Sequence, residues 1–296
     1  MNIFITGATG FIGSALVNAL LAQNHNVTAL TRSISNARKR LSERVQLIDS
    51  LEELADFNKF DAIINLAGEP IFDRRWTEAQ KARLTDSRLK ITQKLTALIN
   101  ASSSPPHTFI SGSATGYYGN SGEREQDETA PPADNFTAHL CRQWEQAAQQ
   151  ARTRVCLVRT GLVFSPSGGA LAAILPLYRF GLGGKLGDGK QYWAWIALDD
   201  MVNGILFLLN NSQCSGAFNF VAPNPVPNTE FNRTLGEVLH RPCFAAVPAW
   251  LLKLILGERA ELLLDSQNIH PSKLLAQGFS FQFKELKPTL EAMLKH

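Results

Sequence analysis

The stretch NIFITGATGFIGSALVNALLAQNHNVTALTRS, residues 2–33, decides the fold. NIFIT is short, branched and aromatic and ends at a glycine, the pattern of a buried strand. FIGSALVNALLAQ (11–23) places Ile12, Ala15, Leu16, Ala19 and Leu20 on one helix face. NVTALT (26–31) reads as a second strand. Between the first strand and the helix stand Gly7, Gly10 and Gly13. Gly7 takes the turn out of the strand, Gly10 has no side chain to block a pyrophosphate, and Gly13 lets the helix approach the sheet. Backbone N–H groups at the helix start then face the phosphates, helped by the helix dipole. The predicted cradle is Gly7, Thr9, Gly10, Phe11, Ile12 and Gly13. The alternative is that the glycines serve packing alone.

Working outward, VQLID (45–49), FDAIINLAG (60–68), HTFISGSA (107–114) and TRVCLVRTGLVF (153–164) supply four more strands. Helical stretches over 77–101 and 137–151 fall among them. Strands that alternate with helices and are apolar on both faces predict an α/β fold, a Rossmann-type doubly wound parallel sheet. Pro and Gly thicken after residue 164, in SPSGG, FGLGGKLGDG and VAPNPVPN, which predicts a smaller irregular C-terminal substrate lobe. The expected division is a dinucleotide-binding domain over 1–165, its sheet completed by segments around 190–220. The lobe follows over 166–296, with helices at 227–242 and 248–265, a C-terminal domain at about 247–294 and a last helix in ELKPTLEAMLKH.

The end of the second strand selects the nucleotide. An acid there would bond a ribose 2′-hydroxyl and repel a 2′-phosphate. This chain has LTRS, and Ser33, Arg38, Lys39 and Arg40 follow with no acid before Glu43. Arg32 offers a planar, permanent cation, so NADP(H) is expected over NAD(H). The competing reading leaves Arg32 as a solvated surface residue. Small residues in NLAG, with Leu66, Ala67 and Gly68, give the nucleoside room across the sheet edge, or simply pack strand against helix.

A net charge of +3 over 296 residues gives no concentrated basic face, so no nucleic-acid partner is expected. Cys141, Cys156, Cys214 and Cys243 show no C-x-x-C spacing, and the six histidines show no H-x-x-x-H pattern, so no metal is expected. No basic leader and no uninterrupted apolar run of ~20 residues occur, which reads as a soluble cytoplasmic protein without membrane contact.

The motifs TGATGFIG, NLAGEP, SGSATGYYG, RTGLVF and WIALDDMVNGI resemble the extended, sugar-nucleotide-epimerase-like branch of the short-chain dehydrogenase/reductases. INLAGEPIFDRRW and VPAWLLKLILGERAELLLDSQNIHPSKLLAQGF are similar to an atypical subgroup, the epimerase family proteins, which end in a short domain of unknown function. The resemblance implies NADP-linked chemistry on a carbonyl, an alcohol or a sugar-nucleotide-like small molecule, and a homodimer paired through the helices at 77–101 and 137–151. It also implies catalysis by Ser, Tyr and Lys, the last two as Y-x-x-x-K with a glutamate four residues on. Ser113 matches the serine. With Glu145 as the glutamate, Thr137 and Cys141 stand where the tyrosine and lysine belong, and neither reproduces their acid–base work. Tyr117 and Tyr118 follow on the next loop, and either phenol could replace the missing acid, against a structural aromatic or a substrate-contact role. A catalytically inactive NADP-binding sensor is therefore the competing function.

Four further groups stay open on the sequence. Arg74, Arg75, Lys81 and Arg88 form either an anion site or a solvated helix face. Trp76 walls the crevice or pins its loop. Gln191, Tyr192 and Trp195 are candidates for the substrate side. Asp199 and Asp200 read as helix N-caps before catalytic acids, and His139 points away from Thr137.

Overall fold

The computed structural model describes residues 1–294; Lys295 and His296, the end of the expected last helix, lie outside the described residues. The first part of the chain alternates β1 (Asn2–Thr6), α1 (Phe11–Ala22), β2 (Asn26–Leu30), α2 (Ile34–Arg38), β3 (Gln46–Ile48), β4 (Ala62–Asn65), α3 (Glu78–Ala101), β5 (Thr108–Ala114), α4 (Phe136–Gln149) and β6 (Arg154–Thr160). Then come β7 (Leu162–Ser165), α5 (Gly169–Arg179), β8 (Gly184–Leu186), β9 (Tyr192–Trp193), β10 (Trp195–Ala197), α6 (Leu198–Asn210) and β11 (Gly216–Phe220). The chain ends in β12 (Val226–Pro227), α7 (Asn228–Leu239), β13 (Ala245–Val247), α8 (Ala249–Leu256), α9 (Glu261–Leu264), α10 (Ser272–Ala276) and α11 (Leu286–Leu294).

Seven strands form one parallel sheet in the order β3-β2-β1-β4-β5-β6-β11. The central strands β1, β4 and β5 are buried on both faces, which is why these segments read as continuous apolar runs. On one face, Ile3, Ile5, Ile64 and Ile110 pack against Leu16, Val17 and Leu20 of α1 and Met201 and Ile205 of α6. On the other, Phe4, Ile63, Phe109 and Leu157 meet Leu95 and Ile99 of α3 and Ala148 of α4. Phe4, Phe57 and Phe60 interlock there with ring centroids 5.0–5.6 Å apart. The sheet is Rossmann-like, with its crevice at the carboxyl ends of the strands.

The run 153–164 is two strands rather than one. β6 stays in the main sheet, while β7 leaves it to pair with β10. Gly161 is the break: its N–H bonds to Phe220 O at 3.1 Å, and a Cβ there would lie 2.5 Å from Ala194 O. Beyond it a second core gathers Phe164, Leu171, Trp193, Trp195 and Phe231, and α11 adds Leu286 and Leu290.

Asp200 corrects the capping expectation. The N-cap of α6 is Ala197, and no side chain caps that helix. Asp200 is fully buried and accepts the backbone N–H groups of Gln282 and Phe283, each at 2.8 Å. Just before that clasp, Leu274, Phe279 and Phe281 enter the α1/α6 core. Among the described residues no helix is long and apolar enough to cross a membrane. Hydrogen bonds to a charged acceptor contribute about 1.5–3 kcal/mol each. Asp200→Ala is therefore expected to lower stability by about 3 kcal/mol in urea denaturation and to open the chain near residue 282 to limited proteolysis. Unchanged stability would remove the clasp from the account.

Candidate functional site

The cradle has the geometry its residues predict. Gly7 has φ +73°, and a Cβ there would lie 2.5 Å from Leu66 O, so only glycine fits between β1 and the end of β4. At Gly13 a Cβ would collide with the Gly7 carbonyl, so α1 sits directly against the turn. Gly10 is the N-cap of α1, with no side-chain cap and no acid in the first turn. The first N–H groups of a helix have no intrahelical partner, and here no side chain covers them. Phe11 packs its ring against Gly168 and Gly169, where a Cβ would meet it at 2.5–2.8 Å. Thr6 Oγ1 donates to Asn65 Oδ1 at 2.6 Å and accepts the Ala67 N–H at 3.2 Å, which fixes the Leu66–Gly68 turn. An anionic dinucleotide fits this set: free donors, a dipole and no Cβ.

Arg32 is exposed past the end of β2, and its guanidinium makes no hydrogen bond or ion pair among the described residues. Ser33 instead caps α2 through the Asn36 N–H. Arg38 is occupied with the carbonyls of Ser42 and Val45. Arg40 reaches over the cradle to Thr9 O at 3.4 Å, a neighbour that the sequence grouped only with the other cations.

At the other end of the crevice, past β5, lies a buried polar network. Ser113 Oγ donates to Glu145 Oε1 at 2.7 Å. Arg159 grips the same carboxylate with Nε and Nη2, each at 2.8 Å, and both side chains are over nine-tenths buried. Arg159 Nη1 donates to Tyr118 Oη at 2.8 Å, and Tyr118 donates to Asn219 Oδ1 at 2.7 Å. Burial pushes the Tyr118 phenol up to about 12, against the pull of Arg159. Tyr117 differs: it is half-buried, Arg159 stacks 3.5 Å from its ring centroid, and its hydroxyl has no hydrogen bond among the described residues.

Thr137 and Cys141, one turn apart on α4, face this region. Thr137 Oγ1 donates within reach of Gly116 O and Asn135 Oδ1, at 3.3 and 3.1 Å. Cys141 Sγ lies 3.6 Å from Ala114 O, and burial foremost pushes its thiol up to about 11. His139 turns outward to Asp134 at 2.7 Å.

Beside the N-cap of α4 opens a cavity of about 860 Å³, lined by Asn120, Asp134, Asn135, Asp188, Gln191, Lys253, Glu258, Glu261 and Asp265. Of the three candidates for the substrate side, Gln191 lines it. Trp195 does not: it is fully buried and stacks on Phe164 at 5.6 Å. Tyr192 is bonded through its backbone to Ser266 and Gln267. Trp76 pins its own loop, donating to Ile71 O at 2.9 Å and packing on Phe136. Lys81 pairs with Glu258 at 2.7 Å. Among the described residues no group of three or more His, Cys, Asp or Glu is placed to hold a metal.

Residues 3–220 match the NAD dependent epimerase/dehydratase family, and residues 247–293 match a domain of unknown function, DUF1731. The chain belongs to the NAD-dependent epimerase/dehydratase family. It is 39% identical, over its full length and 87% of the relative, to the chloroplastic SDR39U1 homolog of Arabidopsis thaliana, itself an epimerase family protein. An epimerase family protein of Staphylococcus aureus is 38% identical, with 98% of each chain covered. The human epimerase family protein SDR39U1 (isoform 2), solved with NADPH, superposes with a TM-score of 0.92 at 33% identity, with both chains fully covered.

Of the site's residues Arg159 drew no role from the sequence, and Arg88 was named only within a group of four cations, as an anion site or a solvated helix face. Arg159 passed as one letter of a strand, although a charge inside CLVRTGLVF demands a buried partner. Arg88 merged with a basic helix face. One lining carboxylate gives a pH test. Burial pushes Asp265 up to about 6, with Glu261 adding and Lys253 opposing. An unfolded aspartate titrates near ~3.9, so the native state holds this proton more tightly. Stability therefore falls as pH rises from about 4 to about 6. Asp265→Asn is expected to raise the melting temperature by a few degrees at pH 7.5 and to leave it unchanged at pH 4, by differential scanning fluorimetry. A gain equal at both pH values would contradict this.

Proposed function

We propose that this chain is an NADP(H)-dependent oxidoreductase or epimerase-like enzyme that acts on a carbonyl or carbinol of a small molecule. The observation that carries the cofactor choice is the unpaired Arg32 beyond β2, with Arg40 against the cradle and no acid before Glu43. NADPH bound to the human relative supports the same reading. Gly7, Thr9, Gly10 and the first N–H groups of α1 would hold the pyrophosphate, and the Leu66–Gly68 turn would floor the nucleoside. Bound cofactor would supply or accept a hydride.

The chain's own groups must move the proton without a Tyr-Lys pair. Tyr117 is the phenol proposed for this, because its hydroxyl is uncommitted while Tyr118 is held by Arg159 and Asn219. Ser113 already donates to Glu145, so its oxygen presents lone pairs and is suited to accept an alcohol O–H. The cavity beside α4 suits a small molecule in size. Asp134, Asp188, Glu258, Glu261 and Asp265 face it against Lys253, a balance that repels a nucleoside diphosphate and favours a neutral or cationic hydroxylated compound. The commitment of Ser113 and Tyr118 to structure favours a second reading, a non-catalytic NADP-binding sensor.

Arg32→Asp is expected to raise the NADPH dissociation constant at least tenfold while sparing or improving NADH, by fluorescence titration; an unchanged NADPH value would overturn the assignment. NADPH oxidation screened over neutral hydroxy-carbonyl compounds and nucleoside-diphosphate sugars should give turnover with the former. Tyr117→Phe should then cut kcat by about 100-fold with NADPH affinity intact, the scale of a lost general acid. If NADPH binds and no acceptor ever consumes it, the sensor reading stands instead.

A further inference from the structure

A second cavity, of about 710 Å³, lies between β8, α7, the loop into β13 and α11. It shares no lining residue with the cavity beside α4 or with the cradle. Most of its wall, residues 229–245, also lies between the two segments matched to families. Local alternation builds that wall. On β8, Leu186 packs towards the second core, so its neighbour Lys185 points outward and is exposed. On α7, Phe231 and Leu235 enter the same core, which leaves Arg233 and Glu237, one turn apart, on the outer face. β13 lies directly on β8, since a Cβ on Gly184 would collide with the Ala245 carbonyl, and this brings Phe244 to the rim.

Three observations bear on the occupant. First, the charge is one-sided. Lys185, Arg233, Arg241 and Lys287 line the cavity with His240, and Glu237 is the one carboxylate among the described lining residues. Glu237 is committed to Lys287 at 3.0 Å and to Arg233 at 3.7 Å. Lys185 and Arg241 form no ion pair among the described residues. Arg241 spends Nε and Nη1 on the carbonyls of Arg179 and His240, at 3.0 and 3.3 Å, which leaves the Nη2 donors open. Second, the carbonyl end of α7 does not need these side chains. The backbone N–H groups of His240 and Arg241 already bond Glu237 O and Gly236 O, at 3.2 and 3.0 Å. Third, Phe244 is 85% exposed at the edge of the cavity, an uncovered ring beside unneutralised cations.

A concave site of this volume suits a small molecule. Guanidinium and ammonium groups hold phosphate oxygens, and exposed aromatic rings hold bases by stacking. We propose that this cavity is a ligand site for a soluble phosphate ester that carries an aromatic ring, such as a nucleoside polyphosphate. Its phosphates lie on Lys185 and Arg241, and its ring lies on Phe244. The site is separate from the crevice and does not rest on the reading of that crevice.

The full-length chain is titrated with ATP and with inorganic tripolyphosphate by isothermal titration calorimetry. Lys185→Glu combined with Arg241→Glu should raise both dissociation constants at least 100-fold, about tenfold or more for each charged contact removed. Phe244→Ala should weaken ATP about tenfold, the scale of one stacked base, and leave tripolyphosphate within about twofold. ATP bound equally by wild type and the double variant is held elsewhere, at the glycine cradle, and overturns the proposal. So does a wild type that binds neither probe, and so does a Phe244→Ala variant that weakens both probes equally or neither. Sedimentation with phosphatidylglycerol vesicles is the further arm: binding to vesicles without binding to ATP assigns the cations to a lipid surface and overturns the soluble ligand. If the double variant does not fold, Lys185→Gln, a change at one exposed side chain, takes its place. It should weaken both probes about tenfold, and unchanged constants overturn the proposal.

Discussion

The ion pair between Glu145 and Arg159 is the constraint on which the carboxyl end of the sheet depends. Two opposite charges sit almost fully out of water, joined by two bonds of 2.8 Å. Such a pair is stable only while every lone pair and donor around it is satisfied, and removing one partner costs about 3–5 kcal/mol. Here the surroundings are recruited to that end. Ser113 donates a hydrogen bond to the carboxylate, and Tyr118 accepts one from the guanidinium and donates one to Asn219. Asn219 in turn donates to His270 O, and its backbone N–H is held by Glu128. Strands β5, β6 and β11, helix α4 and the C-terminal segment are thereby locked together at one point.

That lock explains an otherwise puzzling division of labour. Ser113 and Tyr118 look like reagents by residue type, yet their hydrogens are spent on holding the frame. A phenol whose ionisation is pushed up to about 12 parts with its proton reluctantly, and moving it would unbalance Arg159. At the margin of the crevice the Tyr117 hydroxyl has no hydrogen bond and the Arg88 guanidinium no ion pair among the described residues. The polar network supplies rigidity, and rigidity keeps those marginal groups at fixed distance from the cradle.

The cradle was legible in the sequence because it is local. Strand, glycines and helix follow one another, and each glycine answers a backbone need that geometry imposes within a few residues. Gly161 was not legible. RTGLVF reads as one continuous strand, and the break is set by Ala194 and Phe220, distant segments that crowd the glycine from either side. Asp200 misled for the same reason: at a helix start the local rule is capping, and its partners lie some 80 residues away. Arg88 was hidden by company, because a basic helix gives no periodic sign of which cation turns inward. Trp195 stands in a stretch rich in polar neighbours, and only the second core, closed by Phe164 and Phe231, takes it out of the crevice.

Leu274, Phe279 and Phe281 carry a consequence for how this architecture can change. They come from the segment matched to the domain of unknown function, yet they fill the core between α1 and α6. Each such side chain contributes roughly 1.5–3 kcal/mol on burial. The tail is therefore less an appendage than a missing wall of the nucleotide-binding layer. A recombination boundary drawn between the two family segments would leave an open apolar trench on one side and an unpaired strap on the other. A tail exchanged for another would fit only where the faces of α6 and β11 that receive it match it in shape.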